Sequence, residues 1–223
     1  MKAKALLILG LVAGGVSAAD PVVSQNIVGY VNVTVAAQVG GVSKYSMIAN
    51  PLKATSNKVS DVIKLSASDD LQLFHFGPAG FVSSSASGGD WLDGGDVVIN
   101  PGGGFFAASA GPNAVKITFV GEVDIAGAVA GHNVPSGLSI QSSVIPKAGA
   151  LQDLEFPLGA GDNDSDTVFQ FVNGSYVGTD GSAGAWLNDS GKGPVVQVAE
   201  AFWVKKTGAA ASWKQPSASA LLQ

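Results

Sequence analysis

Self-similarity at a nearly fixed spacing is the feature that most limits how this chain can fold. Four short runs recur in the same order, with offsets of 93, 95, 95 and 97 residues. The matched runs begin at Tyr45 and Leu138, at Leu73 and Val168, and at Trp91 and Trp186, and the last pair surrounds Phe105 and Phe202. Such a series predicts an internal duplication that covers most of the chain.

Within each copy, short strands alternate with turn residues. LQLFHF reaches a turn at Gly77-Pro78, and TVFQF reaches one at Asn173-Gly174, which is a strong hairpin signal between apolar runs. Strands about ten residues apart favour a sandwich or barrel over βαβ units. We therefore predict an all-β fold with two duplicated β-sandwich or barrel-like lobes, residues 43–126 and 127–223. Each lobe carries one short helix, and an extra strand and hinge precede them in residues 19–42.

The first 18 residues have the order of a secretory signal peptide. Lys2 and Lys4 precede an apolar run that is too short to cross a bilayer as a helix, and small residues follow. Val16 and Ala18 suit the −3 and −1 positions of a cleavage site, so the mature chain is expected to begin at Ala19 or just after it. The expected location is extracellular or at the cell surface.

Composition narrows the classes of function. The formal charge is −5, and all 12 basic residues are lysines. Nucleic-acid-binding proteins present a basic face, often with arginine, so we expect no nucleic-acid partner. No later run reaches about 18 apolar residues, so we expect no membrane span. With no cysteine, disulfides and thiolate chemistry are excluded. A charged fraction of 13% fits a surface partly buried against other copies, or a monomeric glycine-rich β-protein.

The leading run SQNIVGYVNVTV is the most strand-like part of the chain and belongs to neither copy. Burying four of its apolar side chains, Ile27, Val31, Val33 and Val35, contributes roughly 6 to 12 kcal/mol to stability as an upper bound. The net stability of a whole domain is about 5 to 15 kcal/mol. The strand therefore completes a sheet in its own chain or in a neighbouring subunit. The predicted subunit-strand interface consists of Ile27, Tyr30, Val31, Val33 and Val35.

The whole layout is a leader, SQNIVGYVN, and two β repeats that each carry an aromatic hairpin, a tryptophan and a phenylalanine pair. It resembles an uncharacterised family of secreted bacterial β-proteins, with SQNIVGYVN as the most specific part. The resemblance implies secretion and a cell-surface or extracellular location. It supplies no catalytic residues.

Three alternate aspartates form the most metal-like pattern. GDNDSDTV places Asp162, Asp164 and Asp166 in one loop, and Ca²⁺ takes six to eight oxygen ligands. The EF-hand pattern then fails, because its sixth and twelfth positions are Thr167 and Asn173 instead of glycine and glutamate. The loop is either a calcium site or a solvated acidic turn, and calcium is the one cofactor that the sequence suggests.

Trp91 and Trp186 occupy equal places in the two copies. Flat exposed rings stack on pyranose faces, so the pair predicts a repeated sugar-stacking site with a polysaccharide as partner. A tryptophan repeated in the core of each lobe explains the same pattern. In a lobe without disulfides, the core interpretation is favoured.

No catalytic set is recognisable in the sequence. There is no Gly-x-Ser-x-Gly run, and His75 and His132 lie far apart with no triad context. We therefore predict a protein that is not an enzyme. The predicted function is a secreted structural or adhesive subunit that assembles into a homo-oligomer or polymer, such as a filament, sheath or layer, by exchange of its leading strand. The alternative is a carbohydrate-binding or matrix-binding module.

Overall fold

The structure, a computed structural model, describes residues 28–222, with side chains to residue 219. Within that range the strands form two five-stranded antiparallel sheets and three smaller sheets, with two short α-helices. The predicted all-β class with small helices is confirmed. The predicted signal peptide, and Ile27 of the predicted subunit-strand interface, lie outside the described residues.

The chain divides into two lobes of similar construction. The first lobe contains β1 (Val28–Val35), β2 (Tyr45–Ala49), α1 (Val59–Val62), β3 (Ile63–Lys64), β4 (Leu71–Gly77), β5 (Gly80–Ser87), β6 (Asp90–Asp93), β7 (Gly104–Ser109) and β8 (Val115–Glu122). The second lobe contains α2 (Ile125–Ala130), β9 (His132–Val134), β10 (Gly137–Gln141), β11 (Gly149–Ala150), β12 (Ser165–Val172), β13 (Ser175–Ser182), β14 (Ala185–Trp186), β15 (Val195–Val196), β16 (Phe202–Lys206), β17 (Ala211–Trp213) and a 3-10 helix (Pro216–Leu222).

The two five-stranded sheets have the same strand order. The first runs β2-β7-β4-β5-β6, and the second runs β10-β16-β12-β13-β14. Their registers also correspond, because Phe74 faces Phe106 in the first sheet and Phe169 faces Trp203 in the second. These facing pairs are related by the offsets of 95 and 97 residues found in the sequence. Matched residues therefore occupy matched places in the two sheets.

Each lobe is completed by smaller sheets on one face of its large sheet. In the first lobe the sheet β1-β8-β3 covers the face that carries Leu73 and Phe105, while Phe74 and Phe106 point to the other face because side chains alternate along a strand. The enclosed core of the first lobe includes Val35, Ile48, Val59, Val62, Ile63, Ile117 and Phe119. The core of the second lobe includes Leu151, Leu154, Phe156, Val168, Trp186, Phe202 and Trp213.

The leading strand β1 has a counterpart, contrary to the expectation from the sequence. It precedes β2 and pairs with β8 along eight residues, from Val28 opposite Glu122 to Val35 opposite Val115. In the second lobe β9 precedes β10 and pairs with β17, with Val134 opposite Ala211. The match escaped the sequence comparison because β9 is only three residues long.

Local turns follow from residue type. Asn173 and Gly174 have φ angles of 52° and 81°, as a type I′ hairpin turn requires, so the predicted Asn-Gly hairpin is present.

The predicted hinge before the first lobe is a folded turn. The amide and the carbonyl of Val39 are both hydrogen-bonded to Val42, around Gly40 and Gly41. Residues 151–155 form only a run of turns, which ends where Glu155 adopts a φ of 63°. None of the described residues belongs to a helix long and apolar enough to cross a membrane.

Candidate functional site

The two large sheets meet at one corner. The Ala49 amide donates to the Ala199 carbonyl, and the Ser142 amide donates to the Gly102 carbonyl, so the sheets are joined by backbone at this corner. Their outer faces then enclose an apolar cluster of Met47, Ala49, Phe106, Ile140, Ala201 and Trp203, with Phe74, Phe76, Phe169 and Phe171 packed against it. The candidate site is the opening beside this cluster.

The opening is a cleft of about 340 Å³ lined by aromatic side chains from both lobes. We call it the aromatic cleft, and its lining residues are Tyr45, Phe74, Phe81, Phe106, Phe171 and Tyr176. Its volume lies in the range of small-ligand pockets, which is about 300 to 1,000 Å³. All six side chains belong to strands, so the cleft has a rigid wall.

Reciprocal ring contacts hold the two lobes together at the cleft. Phe76 of the first lobe meets Trp203 edge-on, with ring centroids 4.8 Å apart. Phe171 of the second lobe meets Phe106 edge-on in the same way, at 5.9 Å. The two contacts involve corresponding residues of the two sheets, so each hairpin packs on the other lobe as subunits do across a two-fold axis.

Three rings at the rim of the cleft are open to solvent. Tyr45 is 47% exposed, Phe81 is 55% exposed and Tyr176 is 53% exposed. The Trp203 indole N–H donates to the Tyr176 hydroxyl at 3.3 Å, which fixes the direction of that phenol ring. Large apolar side chains exposed together on a soluble domain usually mark a binding surface.

The lining of the cleft is almost entirely apolar. The two tyrosine hydroxyls are the only polar side-chain atoms among its six lining residues. The six lining side chains include no carboxylate, imidazole or amine. An apolar or aromatic group is the occupant that such a wall favours, because the wall offers area and ring faces but few hydrogen bonds.

Trp186 does not occupy an exposed position where a sugar could stack, and it follows the core interpretation instead. Trp186 is 5% exposed and packs on Phe156 at a centroid distance of 5.9 Å, inside the second core. Gly193 lies directly against the indole, where even a Cβ would collide with the ring. Trp91 is half-buried against the first core. The enclosed Trp186 ring therefore cannot stack on a sugar, and the two tryptophans do not form a repeated exposed pair.

The three carboxylates of the predicted calcium loop do not converge. Asp166 is buried and bonds to Lys206, while Asp164 accepts the Gly161 amide at 3.0 Å and Asp162 remains in the exposed loop. Across residues 28–219, no three His, Cys, Asp or Glu side chains are grouped so that they could hold a metal ion.

The leading strand is an integral part of the first lobe. Val31 and Val33 pack against the first core and Val35 is fully buried, whereas Tyr30 is 71% exposed on the opposite face of β1. Four of the five predicted interface residues are therefore described, and three of them face the chain's own core. Of the four described residues, Tyr30 alone is available to another molecule.

Both histidines are kept neutral by burial. Burial lowers the pKa of His75 to about 4, and its ring lies 5.3 Å from that of Phe105. Burial also lowers the pKa of His132 to about 4, against the opposing influence of the Gln141 side chain. Gln141 does not reach hydrogen-bonding geometry, and neither ring nitrogen of His132 has a partner. The two rings are in separate surroundings and form no joint site.

The aromatic cleft was not recognised in the sequence. Its signal is the pair of alternating runs LFHF and VFQF, in which every second residue is aromatic and points away from the lobe's own core. Comparison with known proteins adds no further guide, because no protein-family model, curated protein or solved structure matches this chain.

Proposed function

We propose that the protein is a secreted structural or adhesive subunit that is not an enzyme and that joins its copies head to tail. In this proposal the outer face of β1 on one copy inserts into the aromatic cleft of the next. One observation carries it. Among the described residues only four aromatic side chains are strongly exposed, and three of them, Tyr45, Phe81 and Tyr176, line the cleft. The fourth is Tyr30, on β1.

The surface around Tyr30 is apolar, as a group that inserts into the aromatic cleft should be. Tyr30 stands opposite Val120 in the β1–β8 ladder, and Val28, two residues away on the same face, is 70% exposed. We call Val28, Tyr30 and Val120 the apolar knob. The knob presents one aromatic ring between two aliphatic side chains, which complements a cleft walled by rings. A contact made by only three side chains of one copy supports weak, concentration-dependent association rather than a permanent dimer.

The positions of knob and cleft decide what kind of assembly results. The β1-β8-β3 sheet covers one face of the first large sheet, and the cleft opens on its other face. Knob and cleft therefore point away from each other across the first lobe. A contact between two different surfaces on opposite sides adds copies head to tail, and it continues as an open chain unless the rotation between copies closes a ring. This geometry is what a filament, sheath or layer needs.

Exchange of β1 between copies is a second route to the same polymer. It would rebuild in a neighbour the eight-residue ladder that β1 makes with β8 in its own chain. Asn32 and Thr118 face each other in that ladder, and their side chains are hydrogen-bonded at 2.8 Å. Replacing both with cysteine in this cysteine-free chain would lock β1 in place, so polymer formed by the locked protein arises by docking.

We further infer that the two lobes descend from one duplicated unit. The equal strand order, the corresponding registers and the reciprocal contacts of Phe76 and Phe171 support this inference. Fusing two copies into one chain buries the original contact between them permanently. Further association then needs new surfaces, and the knob and cleft are the described surfaces that expose aromatic rings.

The proposal is tested with two surface variants and one matched control. Tyr30→Ser removes the knob, and Phe81→Asp places a charge at the cleft rim. Leu187→Asp makes the same kind of change at a side chain that is 65% exposed and lies outside the cleft. Sedimentation velocity of the mature protein is expected to show concentration-dependent assembly, lost in the first two variants and kept in the control. Assembly that survives both knob and cleft variants contradicts the proposal.

Carbohydrate or matrix binding is the second candidate function. The exposed rings of Tyr45, Phe81 and Tyr176, with two phenol hydroxyls, favour it. Retention on insoluble cellulose, chitin or peptidoglycan that is lost in Phe81→Asp but kept in Tyr30→Ser would establish this function. The same result would remove self-assembly as the role of the cleft.

A further inference from the structure

A buried ion pair connects two strands of the second large sheet. Asp166 of β12 and Lys206 of β16 face each other in the ladder, and their side chains are 1% and 2% exposed. The Lys206 ammonium nitrogen lies 2.7 Å from Oδ2 of Asp166. The three other ion pairs among the described residues all have at least one strongly exposed partner. Only the Asp166–Lys206 pair is enclosed on both sides.

The hydrogen bonds around the pair are unevenly shared. Oδ2 of Asp166 accepts from the Lys206 ammonium and also from the Gly159 amide at 2.8 Å. The ammonium donates in addition to the Pro157 carbonyl at 3.4 Å. Oδ1 of Asp166 is buried and has no hydrogen-bond partner. A buried carboxylate with an unsatisfied oxygen is costly, and burying two charges adds a desolvation cost.

The pair has what is needed to condense into an amide, and we propose that it does so in the mature protein. One proton passes from the ammonium to the carboxylate, and the neutral Lys206 nitrogen then attacks Cγ of Asp166. The nitrogen–Cγ bond forms and the Cγ–Oδ1 bond breaks. Two of the three ammonium protons leave with Oδ1 as water, and the third stays on the amide nitrogen. The balance needs no oxidant, reductant or outside proton.

The groups that surround the pair suit both the reaction and its product. The Gly159 amide donates to the oxygen that gains negative charge when the nitrogen adds to Cγ. Fixed strands hold the nitrogen and the carboxyl in contact, which replaces an encounter in solution. In the product the amide oxygen keeps the Gly159 amide and the amide N–H keeps the Pro157 carbonyl. The oxygen that leaves is the one without a partner.

The first lobe shows that the sheet itself does not need an ion pair here. The corresponding facing residues of β4 and β7 are Leu71 and Ser109, which are both buried. The charged pair is therefore particular to the second lobe, whose covering strands β9 and β17 have three residues each. A link between residues 166 and 206 encloses β13, β14 and β15. It would stabilise this cysteine-free lobe by constraining the unfolded chain, as a disulfide does in other proteins.

The test is the intact mass of the purified full-length mature protein. The expected mass is lower than the sequence mass by one water, about 18 Da. Proteolysis should yield one branched peptide that joins the segments containing Asp166 and Lys206. After denaturation an amine-acylating reagent should label Lys192, which is exposed in its pair with Asp153, but not Lys206. The sequence mass with a freely labelled Lys206 overturns the proposal.

Two controls keep the result specific. A loss of the same mass that maps to a succinimide at Asp93-Gly94 or Asp180-Gly181 also overturns the proposal. The double variant Asp166→Leu, Lys206→Ser copies the residues of the first lobe and should show its full sequence mass. If the link forms, the melting temperature of the wild type should exceed that of the variant Lys206→Met by about 10 °C or more. A measured mass at the sequence value contradicts the link whatever the melting temperature.

Discussion

Phe76 of the first lobe packs edge-on against Trp203 of the second, with ring centroids 4.8 Å apart and ring planes at 76°. The corresponding Phe171 packs edge-on against Phe106 at 5.9 Å and 85°. Aromatic pairs prefer this arrangement because the positive edge of one ring meets the negative face of the other. The two contacts hold the walls of the aromatic cleft at a fixed separation. The shape of the cleft therefore depends on residues that also join the lobes.

The ring contact between lobes should be measurable as a coupling energy. Phe76→Ala and Trp203→Ala are each expected to lower the free energy of unfolding by about 2 to 4 kcal/mol, because each removes partly or fully buried ring surface. The double variant should lose about 0.5 to 1.5 kcal/mol less than the two losses together. Urea unfolding followed by circular dichroism measures all three variants. Strict additivity would show that the two rings do not interact.

The leading strand should behave as core rather than as an appendage. Val35 is fully buried, so Val35→Ala is expected to cost about 1 to 3 kcal/mol of unfolding free energy. Thr34→Ala, one residue earlier on the exposed face, should stay within about 0.5 kcal/mol of the wild type. Equal effects of the two substitutions in chemical unfolding would mean that β1 does not pack on the first core in solution.

Acid should weaken the fold through the buried histidines. The pKa of His132 is about 4 in the folded chain, below the ordinary value of 6.5, so the unfolded chain binds more protons between these values. Stability is then fully present above about pH 6.5 and is lost as the pH falls towards 4. A shift of this size corresponds to about 3 kcal/mol for His132, and to less for the more exposed His75.

The contribution of His132 can be isolated by substitution. Its ring lies 5.2 Å from that of Trp213, and a phenylalanine there keeps a ring without a titrating group. The variant His132→Phe should therefore lose less unfolding free energy than the wild type between pH 7 and pH 4.5. Parallel urea curves at the two pH values measure the difference. An unchanged pH dependence in the variant would assign the acid sensitivity to other groups.

Calcium should not stabilise the protein through the GDNDSDTV loop. Asp166 is occupied by Lys206 and Asp164 by the Gly161 amide, so only Asp162 remains for a cation. Excess Ca²⁺ and excess chelator should give the same melting temperature. A ligand present at 100 times its dissociation constant would add about 2.7 kcal/mol, which such a scan would resolve. A clear rise with Ca²⁺ would show that the loop rearranges to bind it.

Local and periodic features of this chain were predictable from its sequence. The alternation of LQLFHF sets which side chains face the core, and Asn173-Gly174 fixes a hairpin by its backbone conformation. The offsets between similar runs agree with the registers of the two large sheets. These features depend on neighbours along the chain or on repetition, which a sequence displays directly.

Features that need two distant segments were not predictable. The aromatic cleft forms beside the cluster shared by the outer faces of the two sheets, and nothing local in LFHF or VFQF states which surface will meet them. The sequence suggested Asp166 as a calcium ligand. It could not show that Asp166 pairs with Lys206, which is 40 residues further along the chain. The short strand β9 hid the counterpart of β1. In each case the deciding contact is made only when the lobes are folded.

The most direct test of head-to-tail assembly is to mix two variants that are each unable to polymerise. Tyr30→Ser keeps an intact cleft, and Phe81→Asp keeps an intact knob, so an equal mixture has one working contact between unlike copies. Sedimentation velocity is expected to show monomers in each separate sample and dimers in the mixture, with no larger species. Monomers in the mixture, or polymers in either separate sample, would contradict docking of the β1 knob into the aromatic cleft.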